Sequence, residues 1–284
     1  MTHHEDHFAG HDGLELYEQS WLPEQSTGVL VLLHGINEHS GRYASFAEEL
    51  VAEGWAVYAM DLRGHGRSAG PRSHVGSFDQ FVDDLEVFLD RVREREPEKP
   101  IFLFGHSMGA AIVLRLVIRR EPDVCGMVLG APPLRIGGKM FPILRRLAGL
   151  FSHIMPRLRL VRLGTHFMSR DKAVVEQFRA DPLVFHGRFT VRIGAEILRI
   201  GKQIRLHSES VRLPFLVMHG TDDICTRWKG SRRLFEEAGS TDKTLCLYPG
   251  LWHDLLNEPE KEQVRSDVIR WLNRRRAAVT VREK

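Results

Sequence analysis

The stretch that decides the fold is IFLFGHSMGAAIVLRLVIRR, residues 101–120. A short apolar run ends at Phe104, the G-x-S-x-G sequence Gly105–Gly109 follows, and residues 110–119 have the apolar spacing of a helix. A serine between two glycines at a strand-to-helix turn is the pattern of a nucleophile elbow. The glycines are needed because a Cβ at either position would meet the neighbouring strand or helix. The pattern predicts Ser107 as a nucleophile that lies at the positive end of a new helix.

Further apolar runs of strand length lie on both sides of this stretch. They are continuous rather than alternating, which is typical of strands buried on both faces of a parallel sheet. Helical patterns separate them, so the chain predicts strand–helix–strand units with right-handed crossovers. Residues 13–22 are interpreted as an antiparallel hairpin at the sheet edge. The predicted strands occupy 28–34, 55–61, 101–107, 124–133, 215–220 and 244–250.

The alternation of strands and helices stops between about Pro132 and Val211. Three helical patterns fill this interval, and the simplest interpretation is a helical insertion over the carboxyl edge of the sheet, where open α/β sheets bind ligands. The expected organisation is therefore one core domain made of residues 13–131 and 211–276. Residues 132–210 form the insertion, which we call the lid.

The lid is basic, although the whole chain carries a net charge of only +3. Residues 131–210 contain 15 Lys+Arg and 5 Asp+Glu, a net of +10, so the rest of the chain carries −7. No nucleic-acid motif accompanies this charge, and we expect no nucleic-acid partner. Segment 139–162 combines arginines with apolar residues at helical spacing, which favours peripheral contact with a lipid surface. The alternative is a lid helix that only packs on the sheet while its arginines face water. The apolar residues are Phe141, Leu144, Leu147, Phe151 and Met155.

Targeting signals and cysteine usage indicate the cellular location of the protein. No apolar run approaches the ~18 residues of a membrane span, and the polar start MTHHEDHFAGHDG lacks the pattern of a signal peptide. Cys125, Cys225 and Cys246 form no CxxC pair and no disulfide framework. We therefore expect a cytoplasmic protein, peripheral to a membrane at most.

A serine nucleophile needs a base, and that base needs a carboxylate to orient it. With the nucleophile elbow the chain order is serine, then Asp or Glu, then histidine. The run HGTDD (219–223) ends one late strand and YPGLWHD (248–254) ends the last, so His253 is predicted as the base. Asp222 and Asp223 are adjacent, and the residues alone leave the choice between them open.

An oxyanion hole requires two N–H donors aimed at the developing charge. The backbone N–H of Met108, directly after the nucleophile, is one candidate. The second is expected in the loop that follows His34-Gly35, which makes Ile36 the candidate.

Motifs along nearly the whole chain, from about Gly28 to Leu272, resemble the monoacylglycerol lipase and lysophospholipase-like family. This family belongs to the serine aminopeptidase S33-type hydrolases of the α/β-hydrolase superfamily. The resemblance implies a mostly parallel central sheet flanked by helices, with a helical lid inserted before the last two strands. The motifs are HGINEHSGRY (34–43), DLRGHGRS (61–68), GHSMGA (105–110), SRD (169–171), ADPL (180–183), LPFLVMHGTDD (213–223), STDKTLCLYPGLWHD (240–254) and NEP (257–259).

The resemblance also assigns site residues. The family places its carboxylate three residues after the glycine that ends the strand, and Gly220 plus three is Asp223. Ile36 and Met108 are implied as the oxyanion hole, and the bulk of Ile36 narrows a site where the family usually has a small residue. Glu38, His39 and Arg42 are implied as substrate-binding residues, with a purely structural ion pair as the alternative for Glu38 and Arg42.

The expected reaction is hydrolysis of a lipid-like carboxylic ester, a monoacylglycerol or a lysophospholipid, through an acyl-enzyme. It requires no metal and no organic cofactor. The alternatives are a carboxylesterase or thioesterase with other acyl substrates, and a non-catalytic binding protein that keeps the fold. The sequence leaves the oligomeric state open.

Overall fold

Eight strands form one central sheet in the order β1-β2-β4-β3-β5-β6-β9-β10. The computed structural model describes residues 1–137, 149, 151–162, 164–165 and 168–282. From β4 to β10 all neighbouring strands pair in parallel, whereas β2 is antiparallel to β1 and β4. Strands β7 and β8 form a separate antiparallel pair. The strands are β1 (Thr2–Ala9), β2 (Glu15–Leu22), β3 (Gly28–Leu33), β4 (Trp55–Met60), β5 (Ile101–His106), β6 (Gly126–Gly130), β7 (Arg159–Val161), β8 (Phe189–Thr190), β9 (Phe215–Gly220) and β10 (Lys243–Tyr248).

Helices cover both faces of the sheet. Two apolar clusters lie on opposite faces, one built with side chains from α2 and α3 and the other with side chains from α1 and α7. The predicted architecture, a mostly parallel sheet flanked by helices, is therefore confirmed. The helices are α1 (Ala44–Ala52), α2 (Asp79–Arg95), α3 (Met108–Arg120), α4 (Lys172–Ala180), α5 (Val191–Leu206), α6 (Trp228–Glu237) and α7 (Lys261–Arg282).

The central strands are apolar throughout because both of their faces are buried. In β3, Val31 and Leu33 belong to the cluster on one face, while Leu30 and Leu32 belong to the cluster on the other. All four side chains are fully buried. Alternating polarity is lost in such a strand, and this is the physical origin of the continuous runs in the sequence.

The predicted hairpin within residues 13–22 is wrong. These residues contribute one strand, β2, which pairs with β1 at Thr2–Ala9. The hairpin thus begins before residue 13, the expected start of the core. Strand β1 is polar and almost wholly exposed at the sheet edge, so its sequence carries no apolar alternation that would reveal it.

The lid lies in the chain between β6 and β9, and hence before the last two strands, as predicted. Its described part contains α4, α5, a helical turn at residues 151–154 and the β7–β8 pair, which the sequence did not predict. The predicted apolar positions Phe141, Leu144 and Leu147 lie outside the described residues. The division into a core of 13–131 and 211–276 and a lid of 132–210 stays a prediction.

The turn from β5 to α3 forces Ser107 into the left-handed region, with φ 52° and ψ −115°. Its two glycines are sterically required. A Cβ on Gly105 would lie 2.6 Å from the backbone nitrogen of Ala110. A Cβ on Gly109 would lie 2.7 Å from the carbonyl oxygen of His34 and closer still to that of Leu33. Helix α3 therefore packs directly against the end of β3.

We predict that Gly109→Ala destabilises the protein, because its methyl group would meet two backbone carbonyls that cannot rotate away. The expected loss in the free energy of unfolding is about 1–3 kcal/mol, the usual cost of overpacking. Gly76→Ala is the matched control, since the nearest atom to its Cβ is the flexible end of the Gln80 side chain. Denaturant unfolding of both variants measures the difference. Equal stability of the two variants would contradict the packing argument.

Candidate active site

Ser107 and His253 lie within hydrogen-bonding distance at the carboxyl edge of the sheet. Ser107 follows β5, and its backbone N–H donates to the carbonyl of Gly130 at the end of β6 (2.8 Å). His253 lies in the loop after β10 and presents Nε2 to Ser107 Oγ at 3.0 Å. Both side chains are buried. The structure thus brings together two residues that are 146 positions apart in the chain.

Asp223 lies on the far side of the His253 ring, with Oδ2 at 2.7 Å from Nδ1. Its other oxygen accepts the backbone N–H groups of Cys225 (2.7 Å) and Thr226 (3.0 Å). Burial alone would raise the pKa of Asp223, but His253 and His219 overcome this effect and hold it well below its usual value. The carboxylate is therefore ionised and fixes His253 with Nδ1–H as donor, which leaves Nε2 free to accept a proton from Ser107.

The structure also separates the two adjacent aspartates. Asp222 is exposed and accepts a hydrogen bond from the hydroxyl of its neighbour Thr221 (3.1 Å), whereas Asp223 is fully buried against His253. The turn after β9 points only one of the two carboxylates inward. Of the two, only Asp223 is placed to orient the histidine.

The two predicted oxyanion donors, Ile36 and Met108, lie in the same cavity as Ser107. Within the described chain, neither backbone N–H has an acceptor in hydrogen-bonding distance. The loop after β3 passes close to Ser107 at Gly35. A Cβ on Gly35 would lie 3.3 Å from the Cβ of Ser107 and 2.8 Å from Oε1 of Glu38. The arrangement leaves both N–H groups available to an oxyanion.

Glu38 binds the loop after β3 through hydrogen bonds. Its Oε1 accepts the backbone N–H of Gly35 (2.6 Å), the hydroxyl of Tyr43 (2.9 Å) and a hydrogen bond from His106 Nδ1 (3.3 Å), while Oε2 pairs with Arg42. Burial opposes ionisation, but Arg42 and His106 hold the pKa of Glu38 well below its usual value. Glu38 is thus a buried carboxylate with partners at both oxygens.

The expected substrate-binding role of His39 and Arg42 is not supported by their positions. Neither lines the cavity, whereas Glu38 does. His39 Nε2 lies 2.8 Å from Oδ2 of Asp181 in the lid. Arg42 pairs with Glu38 and with Asp254 (2.7 Å). Their polar groups are used within the protein, and the structural ion pair weighed for Glu38 and Arg42 is the arrangement that the structure shows.

Sequence reasoning missed several residues that position the site. His106 Nε2 donates to the carbonyl oxygen of His253 (3.1 Å), so His106 joins Glu38 to the loop that carries His253. Thr226 donates its hydroxyl to Asp223 Oδ2 (2.8 Å), and the fully buried His219 lies 3.2 Å from the same oxygen. Positions 106 and 219 stand inside quoted motifs, as the variable residue of G-x-S-x-G and the first residue of HGTDD. Their chemistry was a signal that could have been used.

The cavity above Ser107 has a volume of about 620 Å³ and is mostly apolar. This volume lies within the usual range for small-molecule sites. The polar residues of its lining include Asn37, Glu38, His106 and the lid residue His186. Much of the remaining lining is aromatic or aliphatic, including Phe151, Leu158, Met168, Phe178, Phe189 and Ile197.

Two groups of described residues have the spacing of metal ligands, and neither suits a metal. Asp223 and His253 of the first group already bind each other, and burial raises the pKa of the third member, Cys225, well above its usual value. In the second group, His11–Asp12–Asp84, the guanidinium of Arg63 occupies the centre. It donates to Asp84 (2.6 Å) and Asp12 (2.9 Å).

Comparisons with known proteins find similar lipases. A monoacylglycerol lipase from Mycolicibacterium smegmatis is 35% identical over 272 residues, which cover 95% of this chain and 97% of that protein. A monoglyceride lipase from Rattus norvegicus is 34% identical and covers 97% of this chain and 92% of its own length. The crystal structure of a monoacylglycerol lipase from Paleococcus ferrophilus superposes with a TM-score of 0.84 and 34% identity, over 92% of this chain and all of that one. The predicted α/β-hydrolase fold is thereby confirmed.

The family model described as serine aminopeptidase S33 matches residues 24–260, most of the chain. This range contains Ser107, Asp223, His253 and the loop after β3. The chain therefore belongs to the serine aminopeptidase S33 family of hydrolases.

Proposed function

We propose that this protein is a serine esterase that hydrolyses monoacylglycerol to a free fatty acid and glycerol. The observation that carries the proposal is the continuous chain of hydrogen bonds from Asp223 through His253 to Ser107, which ends in an apolar cavity of about 620 Å³. The mostly apolar lining of the cavity favours an acyl chain, and its polar groups suit the hydroxyl-bearing end of such a substrate.

In the proposed mechanism, Ser107 Oγ attacks the acyl carbonyl carbon while His253 Nε2 accepts its proton. The backbone N–H groups of Ile36 and Met108 stabilise the oxyanion. The carbon–oxygen bond to glycerol breaks as His253 returns the proton to the leaving oxygen. Water, deprotonated by His253, then attacks the acyl-enzyme and releases the fatty acid and Ser107.

The choice of monoacylglycerol rests on the relatives named above. The alternatives are a lysophospholipid, another carboxylic ester or a thioester, because chain-length and headgroup preference depend on the lid. A panel of acyl esters and thioesters with varied chain and headgroup, followed by release of fatty acid, separates them. Preference for a thioester or a short simple ester over monoacylglycerol would overturn the proposed substrate.

We further propose that the lid makes peripheral contact with anionic lipid surfaces, which the cytoplasmic location expected from the sequence would permit. No helix of the described chain is long and apolar enough to cross a membrane. The proposal rests on an exposed apolar patch, which consists of Phe151, Ile154, Met155, Leu158 and Leu160.

Arginines lie within and next to the apolar patch along the chain, at positions 157, 159 and 162. Within the described chain, Arg157, Arg162 and Arg192 have no carboxylate partner. The pKa of His74 is lowered first by burial and then by Arg157, Arg159 and Arg192, so these three arginines lie near His74. Apolar side chains beside unpaired arginines are the features of an interfacial surface.

We predict that Ser107→Ala abolishes hydrolysis of monoacylglycerol while the fold is kept. Loss of a nucleophile of this kind costs at least about 10³-fold in kcat. Ser210→Ala, at an exposed serine, is the matched control and should keep full activity. A fluorophosphonate probe should label wild type and the control but not Ser107→Ala. Labelling or substantial turnover in Ser107→Ala would rule out this serine as nucleophile, and an unlabelled, folded wild type would favour the binding-protein alternative.

We predict that Asp223→Asn lowers kcat by about 10⁴-fold, because an amide holds the imidazole in the wrong tautomer. Asp222→Asn should change kcat by less than about 3-fold, since this exposed side chain contacts only a neighbouring threonine hydroxyl. Steady-state hydrolysis by the two purified variants gives the comparison. The opposite ranking would exchange the proposed roles of the two residues.

We predict that replacing both Ile154 and Met155 by Ser weakens sedimentation with vesicles that contain anionic lipid. These side chains are 66% and 49% exposed and do not line the cavity, so activity on a soluble short-chain ester should not change. Activity on vesicle-borne monoacylglycerol should fall several-fold.

The control for this experiment is Leu206→Ser. Leu206 is 63% exposed at the far end of α5, about 20 Å along the helix from the β7–β8 pair. The Leu206→Ser variant should bind vesicles as wild type does. If wild type itself fails to bind anionic vesicles at low salt, the membrane proposal is wrong.

A further inference from the structure

Asn37 stands out in the cavity because the roles assigned so far do not use its side chain. It directly follows Ile36, so its Cα lies ~3.8 Å from that of the proposed oxyanion donor. Asn37 is one of the residues that line the cavity, and it is only 5% exposed. One of its polar atoms, Oδ1, is buried without a hydrogen-bond partner in the described chain. A buried amide oxygen without a hydrogen-bond partner, in a residue that lines a ligand cavity, is a polar group whose partner is missing.

The main chain of Asn37 has a specific conformation and a contact of its own. Its φ of 66° lies in the left-handed region, which asparagine tolerates better than most residues. Its carbonyl oxygen accepts the backbone N–H of Phe185 in the lid (2.9 Å). The contact between Asn37 and the lid is therefore made by its main chain, and the side-chain amide is not needed for that contact.

The surroundings of Asn37 indicate which part of a ligand it meets. The cavity is predominantly apolar, and its polar lining residues include Asn37, Glu38, His106 and His186. Glu38 and His106 already satisfy each other and their neighbours. The Asn37 amide thus remains as an uncommitted polar group beside the oxyanion loop.

We propose that the Asn37 side chain binds a hydroxyl of the alcohol part of the substrate and determines specificity for polyol esters over simple alkyl esters. The inference deepens the proposed function and rests on it. A glycerol hydroxyl is both donor and acceptor, so it can donate to the amide oxygen or accept from the amide N–H₂. An alkyl ester has no such group and leaves the amide unpaired, which is how a polar site discriminates against a substrate that lacks the hydroxyl.

Asn37→Gly is the variant that tests this, because glycine accepts the positive φ and keeps the backbone contact with Phe185. The two substrates are a monoacylglycerol and the propyl ester of the same fatty acid, which differ only in the two hydroxyls. We expect kcat/KM for the monoacylglycerol to fall by about 3- to 10-fold, as for the loss of one neutral hydrogen bond. The propyl ester should be hydrolysed at the wild-type rate, and thermal unfolding should show no loss of stability.

Binding provides a readout that does not depend on turnover. Calorimetry with a non-hydrolysable monoalkyl glycerol ether should show weaker binding by Asn37→Gly than by wild type, with the same ratio as in kcat/KM. Equal losses for both esters, or no loss in either measurement, would overturn the role of Asn37. Failure of the proposed function looks different, because wild type would then bind the ether normally but release no fatty acid from either ester.

Discussion

The close contact between Gly109 at the start of α3 and the carbonyl groups that end β3 is the constraint on which the site depends. It allows α3 to begin directly at the carboxyl edge of the sheet, and it forces Ser107 into a left-handed conformation that lifts its hydroxyl above the strands. The same contact brings the loop after β3 next to Ser107, because the loop continues from the carbonyls that touch Gly109. The proposed nucleophile and the proposed oxyanion donors are thus positioned by the same packing contact.

A second constraint joins the loops electrostatically. Glu38 binds Gly35 in the loop after β3, and through His106 it reaches the carbonyl of His253 in the loop after β10. Asp223 approaches the same histidine from the opposite side. Both carboxylates are buried and ionised, and each accepts hydrogen bonds at both oxygens from backbone and side-chain donors. His253 is therefore fixed at its ring by one carboxylate and at its main chain by the other, which restricts the rotation that would take Nε2 away from Ser107.

The parts of this structure that could be predicted from the sequence are those with a local signal. The apolar runs located the buried strands because both faces of each are covered, and the glycines at 105 and 109 identified the elbow. Strand β1 was missed because its exposed edge carries no apolar pattern, and the short β7–β8 pair because two or three residues hold too little pattern to detect. Residues alone did not choose between Asp222 and Asp223, since the choice depends on how the turn after β9 points its side chains. The substrate-binding role expected of Arg42 and His39 stays a prediction, because a motif fixes residue types but not which neighbouring residue pairs with their charges.

The lid is tied to the core by specific polar contacts, while its outer surface is apolar and basic. His39 binds Asp181, and Ser73 accepts the hydroxyl and backbone N–H of Thr190. Near His253, Asp254 donates its N–H to the carbonyl of Met168. Met168 and Thr190 also line the cavity, so these contacts join the lid to the core at the wall of the proposed site. The apolar patch at 151–160 adjoins Thr190, which pairs with Arg159, and it includes Phe151 and Leu158, which also line the cavity. The same side chains thus form part of the outer surface and part of the cavity wall, and a lipid that meets the patch from outside is already in contact with the wall of the proposed acyl site.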